Sequence, residues 1–404
     1  MTPISKCMVI AGEASGDGLA AELVLALREH PQVKAQPWPI DFFGAGGPRL
    51  AAVGVSLHCD MTAHSVVGLL EVVRKYREFK RLFGELLQLA FDNLPDLIIL
   101  VDFAGFNRRF AAALRRRLRS PVQPFHNWEP KLVYYVSPQV WASRPGRART
   151  LARDLDLLLS IFPFEKEWYA RATPELRVEF IGHPLLDRYP RVWVNQRVAV
   201  ASQIDNRPPA ALHDHGVLLP GSRPGELRQH LPPMLEAVRI LQSKTALKWH
   251  MILPTPALLE IAANQVSQSG LPIQCSVGNL AETLAGARVA IASTGTVTLE
   301  LAFFRVPTVA IYKTSWTTFQ IGKRIIQVPF LAMPNLLANK PIFPELIQDE
   351  ATGEKIARAA LPIILDEALQ KRIRTKLDEV IASLGEPGAC ARGALDIVSL
   401  FLEK

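Results

Sequence analysis

The chain has 404 residues, of which 49% are hydrophobic and 21% are charged. This chain is longer than a typical single domain with one hydrophobic core, so its length predicts two domains. Its composition excludes a disordered protein. The net charge of +8 favours polyanions or anionic membranes as partners.

The first half of the chain alternates short apolar runs with helical patterns. An apolar run at residues 7–11 leads into a glycine-rich turn and then a helical pattern at 19–28, which predicts strand, turn and helix. The segment LIILV at 97–101 is the strongest predicted strand. Strands that alternate with helices indicate βαβ units and a parallel sheet. Further strands are predicted at 41–44, 132–136 and 157–161.

The pattern is interrupted in the middle of the chain and then restarts. Residues 188–215 are irregular and rich in Pro, Asn and Asp, which is typical of a boundary between domains. A strand at 216–219, the turn PGSRPGE and a helix from residue 227 then predict a second Rossmann-like unit. Helices are predicted from residue 352 to the end of the chain. Further strands of this unit are predicted at 249–253, 289–292 and 308–312.

The four cysteines, Cys7, Cys59, Cys275 and Cys390, are scattered and form no C-x-x-C pair. Their spacing predicts neither a metal site nor a disulfide framework, and a reducing cytoplasm fits best. The N-terminal apolar stretch is too short for a signal peptide, and no run reaches the roughly 18 apolar residues of a membrane span. We therefore expect a protein that is soluble or lies on a membrane surface.

Residues 69–90 place apolar side chains three and four positions apart, with Arg74, Arg77 and Arg81 on the opposite face. This pattern fits a helix packed on its sheet, and it also fits a surface helix in contact with lipid. The region 74–153 holds 16 basic and 6 acidic residues. This excess of positive charge leaves open a non-catalytic binder of nucleic acid or anionic membranes. Because the chain has no recognisable nucleic-acid motif, and its basic stretch lacks the interleaving with aromatic residues that stacks bases, we expect no nucleic-acid partner.

Two polar segments follow predicted strands of the first half. The loop GEASGD at 12–17 lets the backbone approach a ligand closely, or it forms a tight turn in which Ser15 or Asp17 is the helix N-cap. Asp102 follows the buried strand LIILV, where desolvation would raise the pKa of its carboxyl group and favour a general base. An N-cap role would explain its position as well.

Two similar segments follow strands of the second half. In the first, the Gly-Ser-Arg turn of PGSRPGE at 220–226 offers N–H groups and a guanidinium to a diphosphate, or it is an ordinary loop. In STGTVTLE at 293–300, hydroxyl groups surround Gly295 at a helix start. Glu300 could accept the two ribose hydroxyls of a nucleotide, or it is an exposed residue of a capped helix.

Together these segments resemble the lipid-A-disaccharide synthase family over nearly the whole chain. Any one of them could arise by chance, but their order and number could hardly do so. The resemblance is carried by GEASGD, GAGGPR at 44–49, VVGLLEV at 66–72, YVSPQVWA at 135–142, FPFE at 162–165, FIGHP at 180–184, LLPGSRPGE at 218–226, STGTVTLE, MPNLL at 333–337 and PELIQ at 344–348.

The resemblance implies the fold called GT-B, with two Rossmann-like domains facing a central cleft. It implies an acceptor and membrane-side domain at 1–187, a UDP-sugar-binding domain at 188–365, and C-terminal helices at 366–404 that pack back on the first domain. The family joins UDP-2,3-diacylglucosamine to 2,3-diacylglucosamine 1-phosphate and releases UDP, at the cytoplasmic face of the inner membrane. It implies no metal and no cofactor, and it leaves a homodimer open.

The resemblance also implies an inverting displacement in which Asp102 takes the proton of the acceptor's 6-hydroxyl. On the donor side, the residues expected to bind the UDP-sugar are Gly221, Ser222, Arg223, Glu226, Thr294, Gly295, Thr296, Glu300, Asn335, Glu345 and Gln348. On the acceptor side, the expected residues are Gly12, Glu13, Ser15, Gly16, Asp17, Ser137, Gln139, Trp141 and Arg144.

Three positions depart from the family pattern. Gly105 stands where the family commonly has a second Asp, Ser143 replaces the second Trp of V-W-A-W-R, and residues 293–296 read Ser-Thr-Gly-Thr where the family has S-G-T.

One rival function is another UDP-sugar enzyme of the same fold, such as an epimerase. Activity on a UDP-GlcNAc without acyl chains would distinguish it.

Overall fold

The computed structural model describes residues 3–62, 69–120, 127–189 and 215–402, with every side chain in these ranges except those of residues 14, 69–77, 317, 321 and 325. The chain divides into two compact units. The first is Met1–Arg188 with Leu384–Lys404, and the second is Tyr189–Ser383. Each unit contains a parallel β-sheet and helices, so the predicted α/β class with two parallel sheets is confirmed.

The described part of the first unit holds a seven-stranded sheet. Its strands are β1 Lys6–Ala11, β2 Asp41–Gly46, β3 Ser56–Asp60, β4 Leu97–Val101, β5 Lys131–Tyr135, β6 Leu157–Ser160 and β7 Val178–Phe180, and they lie in the order β3-β2-β1-β4-β5-β6-β7. Its helices are α1 Ala14–Glu29, α2 Pro31–Lys34, α3 Pro48–Ala52, α4 Leu69–Asn93, α5 Ala104–Leu118, α6 Val140–Ser143, α7 Ala148–Asp154, α8 Pro163–Ala172 and α9 Leu185–Arg188, with a 3-10 turn at Pro145–Arg147.

The described part of the second unit holds a six-stranded sheet. Its strands are β8 His215–Leu219, β9 Lys248–Leu253, β10 Ile273–Val277, β11 Ala287–Ser293, β12 Thr308–Tyr312 and β13 Glu345–Ile347, in the order β10-β9-β8-β11-β12-β13. Its helices are α10 Pro224–Gln242, α11 Pro256–Ser269, α12 Leu280–Ala285, α13 Val297–Phe303, α14 Trp316–Ile325, α15 Met333–Ala338, α16 Gly353–Leu365 and α17 Glu367–Ser383, with a 3-10 turn at Gln348–Glu350.

Strand β4 shows why the central strands have continuous apolar sequences. All five of its residues are buried, because it lies between β1 and β5 and is covered on both faces. A strand of this kind has no solvent face that would require alternating polar residues. On one face, Ile98 and Leu100 belong to a core that includes Phe106 and Phe110 of α5. This packing fixes the position of α5 relative to β4, and Asp102 lies in the short connection between the two elements.

The last helix, α18 Ala389–Ser399, belongs to the first unit and packs on α1. The Asp187 carboxylate caps it by accepting hydrogen bonds from the backbone N–H groups of Gly388 and Cys390. Helix α17 instead packs on α13 in the second unit. The structure therefore differs from the predicted division, in which all of residues 366–404 return to the first domain. The predicted linker at 188–215 lies almost wholly outside the described residues.

Helix α4 carries the predicted amphipathic pattern. Its described side chains begin at Glu78, and beyond that point Leu82, Leu86 and Ala90 are buried in the core of the first unit. This part of the helix is packed on its sheet. Residues 63–68 and the side chains of 69–77, where the predicted lipid-facing residues begin, lie outside the described part.

Candidate active site

In each sheet the strand order reverses between two neighbouring strands, and the predicted loops follow those two strands. In the first unit the reversal lies between β1 and β4, which are followed by the loop 12–17 and by Asp102. In the second unit it lies between β8 and β11, which are followed by the loops 220–223 and 294–296. Open α/β sheets bind ligands in the crevice at such a switch point. The topology therefore brings each predicted pair of loops together within its own unit.

The backbone of Asp102 is held by hydrogen bonds, and its side chain is half-buried. Its N–H group donates to the carbonyl of Tyr135 at 2.9 Å, and its own carbonyl accepts from the hydroxyl of Tyr134 at 2.5 Å and from the side-chain amide of Asn107 at 2.9 Å. Asp102 and Phe103 are both left-handed, with φ of 49° and 47°. Two such residues in succession are strained, and strain of this kind clusters at functional sites.

The carboxyl group of Asp102 does not cap α5, because the N-cap of that helix is Phe103. Burial and the negative charge of Glu13 raise the pKa of Asp102, and a hydrogen bond from the Phe103 backbone partly opposes this shift. A raised pKa makes the ionised carboxylate a stronger base. The geometry therefore favours the general base over the N-cap alternative.

Gly12 allows the first loop to lie against Phe103, and Gly16 lies within ordinary contact distance of Asp102. A Cβ atom added at Gly12 would collide with the Phe103 ring, and one added at Gly16 would lie 3.6 Å from the Cβ of Asp102. Glycine is therefore required at residue 12 for the two loops to meet. Glu13 is the N-cap of α1, and Ser15 is exposed beside it.

Asp17 has a different environment from the one predicted. It is buried, and its carboxylate accepts three hydrogen bonds from the backbone N–H groups of Gly47, Arg49 and Leu50, at 2.7, 2.9 and 3.2 Å. It therefore caps α3 and joins the loop GEASGD to the segment GAGGPR. With both oxygens used in this way, Asp17 is not suited to take a substrate proton.

A buried polar network lies behind the loop that follows β5. Glu165 is fully buried and accepts hydrogen bonds from the Trp141 indole N–H at 2.9 Å and from the Phe162 backbone at 3.4 Å. Ser137 is also buried, and its hydroxyl donates to Tyr169 at 3.3 Å. The polar groups of Ser137 and Trp141 therefore point into the protein and fix the loop. Glu165 is not among the residues predicted from the sequence, although the segment FPFE contains it.

Burial raises the pKa of Glu165 to about 7 from an ordinary value of 4.5. The folded state thus favours the protonated acid, so this contribution to stability is complete below pH 4.5 and is lost as the pH rises to 7. Each pKa unit corresponds to 1.36 kcal/mol, so the loss amounts to about 3 kcal/mol. We expect Glu165→Gln, which is neutral at every pH, to gain about this much stability relative to the parent between pH 4.5 and 7.

The measurement is the free energy of unfolding in denaturant at several pH values. Glu167→Gln is the matched control, because Glu167 lies on the same helix α8 and is 77% exposed. Its stability should follow that of the parent throughout. Parallel pH curves for the parent and Glu165→Gln would contradict the assignment.

The remaining acceptor-side positions are open to solvent. Gln139 and Arg144 are exposed at the two ends of α6. Gly105 is exposed in the first turn of α5, and a Cβ added there would meet no atom within 4 Å. The structure thus has room for the second carboxylate of the family, and its absence leaves no cavity in the packing.

In the second unit, Glu226 closes the Gly-Ser-Arg loop on itself. Its carboxylate accepts the Ser222 backbone N–H at 3.0 Å and lies 3.7 Å from the Arg223 guanidinium. Gly221 has φ of 129°, and a side chain there would meet Glu226. Glu226 therefore shapes the loop, and the Ser222 N–H is not free for a diphosphate. Arg223 remains 64% exposed at the N-terminus of α10.

His230 is a buried residue that is not among those predicted from the sequence. Its Nδ1 lies 2.7 Å from the carbonyl of Pro220, and its Nε2 accepts the Lys313 backbone N–H at 2.9 Å. The ring thus links the end of β8 to the end of β12. Burial lowers the pKa of His230, in agreement with a neutral ring that donates at Nδ1 and accepts at Nε2. A signal was present, because the residue occupies an apolar-face position of α10, three residues after Leu227.

The loop after β11 is held at its edges and open at its centre. The Thr294 backbone N–H donates to Ile311, and the Thr298 hydroxyl donates to the carbonyl of Gly295 at 2.6 Å. Gly295 and Thr296 are exposed. Glu300 is half-buried in the first turn of α13. The exposed backbone at a helix start is the feature expected of an anion site.

Asn335, Glu345 and Gln348 were predicted to face the ligand, and the structure gives them internal partners. The Asn335 amide is buried and donates to Phe343 and Glu345, while its oxygen accepts two backbone N–H groups. Glu345 also accepts two backbone N–H groups, at 2.9 and 3.0 Å. Gln348 makes two hydrogen bonds to the backbone of Thr314. These side chains fix the loops around β12 and β13.

Among residues 3–62, 69–120, 127–189 and 215–402, no group of three or more His, Cys, Asp or Glu side chains could hold a metal ion. Over the same residues, no helix is both long enough and apolar enough to span a bilayer.

Comparison with known proteins agrees with the motifs. A family model described as lipid-A-disaccharide synthetase matches residues 7–395. The chain belongs to this family. It is 36% identical to the lipid-A-disaccharide synthase of Geobacter sulfurreducens and 34% identical to that of Myxococcus xanthus. Each alignment covers 99% of this chain and 98% of the relative. The predicted membership of the lipid-A-disaccharide synthase family is confirmed, and with it a glycosyltransferase function in lipid A biosynthesis.

Solved structures confirm the predicted GT-B fold class. The UDP-GlcNAc 2-epimerase of Neisseria meningitidis, solved with UDP-GlcNAc, matches with a TM-score of 0.63 over 99% of this chain and 100% of its own, at 9% identity. The calicheamicin glycosyltransferase CalG4 matches with a TM-score of 0.56 over 100% and 99%, at 16% identity. At these identities the likeness concerns the fold alone. The epimerase alternative therefore gains no support from it, whereas sequence similarity supports the lipid-A-disaccharide synthase family.

Proposed function

We propose that the protein transfers 2,3-diacylglucosamine from UDP to the 6-hydroxyl of 2,3-diacylglucosamine 1-phosphate, giving a β-1,6-linked disaccharide and UDP. The observation that carries the proposal is Asp102. Its half-buried carboxylate has a raised pKa, lies at the switch point of the first sheet and meets a glycine loop of the family motif. We assign the acceptor to the first unit and the UDP-sugar to the second.

The reaction is a single displacement with inversion at the anomeric carbon. Asp102 takes the proton of the acceptor hydroxyl as its oxygen forms the new C–O bond, and the bond from the anomeric carbon to UDP breaks. A base of raised pKa retains a stronger driving force for this proton transfer than an ordinary exposed aspartate. Tyr134 and Asn107 act as positioning residues, because they hold the Asp102 carbonyl and so fix the direction of its side chain.

On the donor side, negative charge grows on UDP as the bond breaks. The Arg223 guanidinium is exposed and can form charged hydrogen bonds with the diphosphate. The Ser222 hydroxyl and the exposed backbone of Gly295 and Thr296 complete this contact, and Glu300 accepts the ribose hydroxyls. Because their side chains have internal partners, Glu226, Asn335, Glu345 and Gln348 act by holding the loops in shape. His230 adds to this support.

Two positively charged features suggest how the protein binds its lipid substrates and reaches the membrane that holds them. Arg144 is exposed at the end of α6 and suits the 1-phosphate of the acceptor. The basic region 74–153 favours peripheral contact with the anionic surface of the inner membrane. Diacylated substrates reside in such a surface, so this contact would bring the protein to them.

The test is incubation with UDP-2,3-diacylglucosamine and 2,3-diacylglucosamine 1-phosphate dispersed in detergent. We expect UDP release together with a disaccharide 1-phosphate whose mass is that of the two substrates combined minus that of UDP. UDP-GlcNAc without acyl chains should give neither disaccharide nor epimer. Epimerisation of that sugar, with no disaccharide from the acylated pair, would favour the epimerase alternative and refute the proposal.

A further inference from the structure

A cavity of about 580 Å³ lies along α5 in the first unit. Its lining follows the helix from Arg108 to Arg119. With a rise of 1.5 Å per residue, Arg116 lies about 18 Å along the helix axis from Ala104, the first residue of α5. The far part of the cavity is therefore well separated from Asp102, and the proposed reaction does not use it.

The shape of the cavity follows from the sequence of one helix face. Arg109, Ala112, Ala113 and Arg116 occupy positions i, i+3, i+4 and i+7 and therefore lie on the same side of α5. The two alanines leave open space between the two guanidinium groups. Phe83 of α4 supplies an apolar wall, and its edge-to-face contacts with other rings of the first-unit core hold it in place.

The positive charge of this cavity is not neutralised within the described residues. Arg108, Arg109 and Arg116 line it and make no hydrogen bond or ion pair with the described residues. The one carboxylate of the described lining, Asp154, is already paired with Arg153 through two bonds of 2.8 Å. Several guanidinium groups that repel each other around an open space form a site that an anion would stabilise.

The surrounding charge has the same sign. Burial, together with the positive charges of Arg108, Arg144 and Arg109, lowers the pKa of Arg147. Positive charge thus continues from the cavity towards the 3-10 turn after α6. The wall formed by Phe83, Ala112 and Ala113 adds apolar surface beside this charge, which a free inorganic anion does not need.

We propose that this cavity binds the phosphate headgroup of an anionic membrane lipid, with the guanidinium groups of Arg109 and Arg116 on the phosphate and the apolar wall against the glycerol and upper acyl carbons. The proposal rests on the proposed function only in that the protein works at a lipid surface. The cavity would hold the first unit on the bilayer by a resident lipid, separately from the acceptor that reacts at Asp102.

The test is co-sedimentation with vesicles of phosphatidylcholine that contain phosphatidylglycerol, at low salt. We expect the double variant Arg109→Gln with Arg116→Gln to bind about 10- to 30-fold more weakly, from roughly 1 kcal/mol for each basic residue at an anionic surface. The matched control is Lys371→Gln with Arg372→Gln, which removes the same charge from exposed positions of α17. It should bind within about twofold of the parent.

A third variant distinguishes the contribution of the cavity to vesicle binding from that of general surface charge. Ala113→Leu keeps every charge but fills the space between Arg109 and Arg116, and the half-exposed position accepts a larger side chain. We expect its binding to fall several-fold while its circular dichroism spectrum and unfolding midpoint stay near those of the parent. Unchanged binding of this variant, or equal losses in the two double variants, would overturn the proposal.

Turnover of detergent-dispersed substrates distinguishes a resident lipid from the acceptor. If the Arg109 and Arg116 double variant lost turnover in detergent by the same factor as vesicle binding, the arginines would serve the acceptor's phosphate and the proposal would fail. Failure of the proposed function would instead appear as absent turnover in the parent protein. The vesicle result would then still stand by itself.

Discussion

Asp102→Asn should lose glycosyl transfer by about 10²- to 10⁴-fold, the scale expected when a general base is removed. The acceptor hydroxyl is a weak nucleophile near pH 7, and an amide cannot take its proton. The measurement is the rate of disaccharide formation at saturating substrates. Turnover within a few-fold of the parent would refute the assignment of Asp102 as the base.

The fold and the donor site should survive this substitution. The contacts that anchor residue 102 are made by its backbone, to Tyr134, Tyr135 and Asn107, and they do not need the carboxylate. Replacing a carboxyl group of raised pKa by a neutral amide also removes a desolvation cost. We therefore expect the affinity for UDP and the unfolding midpoint to remain near those of the parent.

Glu13→Gln distinguishes the two carboxylates of this site. Burial is the main cause of the raised pKa of Asp102, and the charge of Glu13 adds to it. Activity should fall as the pH drops through the pKa of Asp102, because the base must be ionised. Without the charge at residue 13, that fall should move to lower pH. Complete loss of turnover in Glu13→Gln, with activity retained in Asp102→Asn, would instead make Glu13 the base.

The strands that could be predicted from the sequence are the interior ones. All nine predicted strands lie inside the two sheets, where burial on both faces demands a continuous apolar run. The four strands that were missed, β3, β7, β10 and β13, are the four sheet edges. Their residues are largely half-buried or exposed, so their sequences lack that run. Each becomes a strand by pairing with the strand that precedes it in the chain, and no apolar pattern within the segment itself indicates that pairing.

The candidate site, like the sheets, could be predicted from the sequence only in part. Strand ends and glycine turns are local features, and they located Asp102 and the two loops of the second unit. The partners of polar side chains are not local. Asp17 binds backbone groups 30 to 33 residues away, and His230 binds one 83 residues away. A sequence pattern shows that such a residue is present, but it does not show whether its polar group faces a ligand or the protein.

The donor site provides the second large effect, and Arg223→Ala should weaken UDP binding by about 1.5–3 kcal/mol, or roughly 10- to 150-fold. Arg223 is the exposed cation of the loop after β8, and its loss would leave Glu226 as the nearest charged side chain of that loop. A carboxylate without its arginine repels a diphosphate, so this effect adds to the lost hydrogen bond. Turnover should fall too, because negative charge grows on UDP as its bond to the sugar breaks.

Arg228→Ala is the matched control for this prediction. Arg228 is exposed on the same helix α10, one turn further along, and its guanidinium bonds only the carbonyl of Pro224 among the described residues. The two variants lose the same charge from the same helix, so a nonspecific electrostatic effect on UDP would be similar in both. We expect calorimetry to show a large loss of affinity for Arg223→Ala and a change of less than about threefold for Arg228→Ala. Equal affinities in the parent and Arg223→Ala would move the diphosphate away from this loop and leave the exposed backbone of Gly295 and Thr296 as its remaining contact.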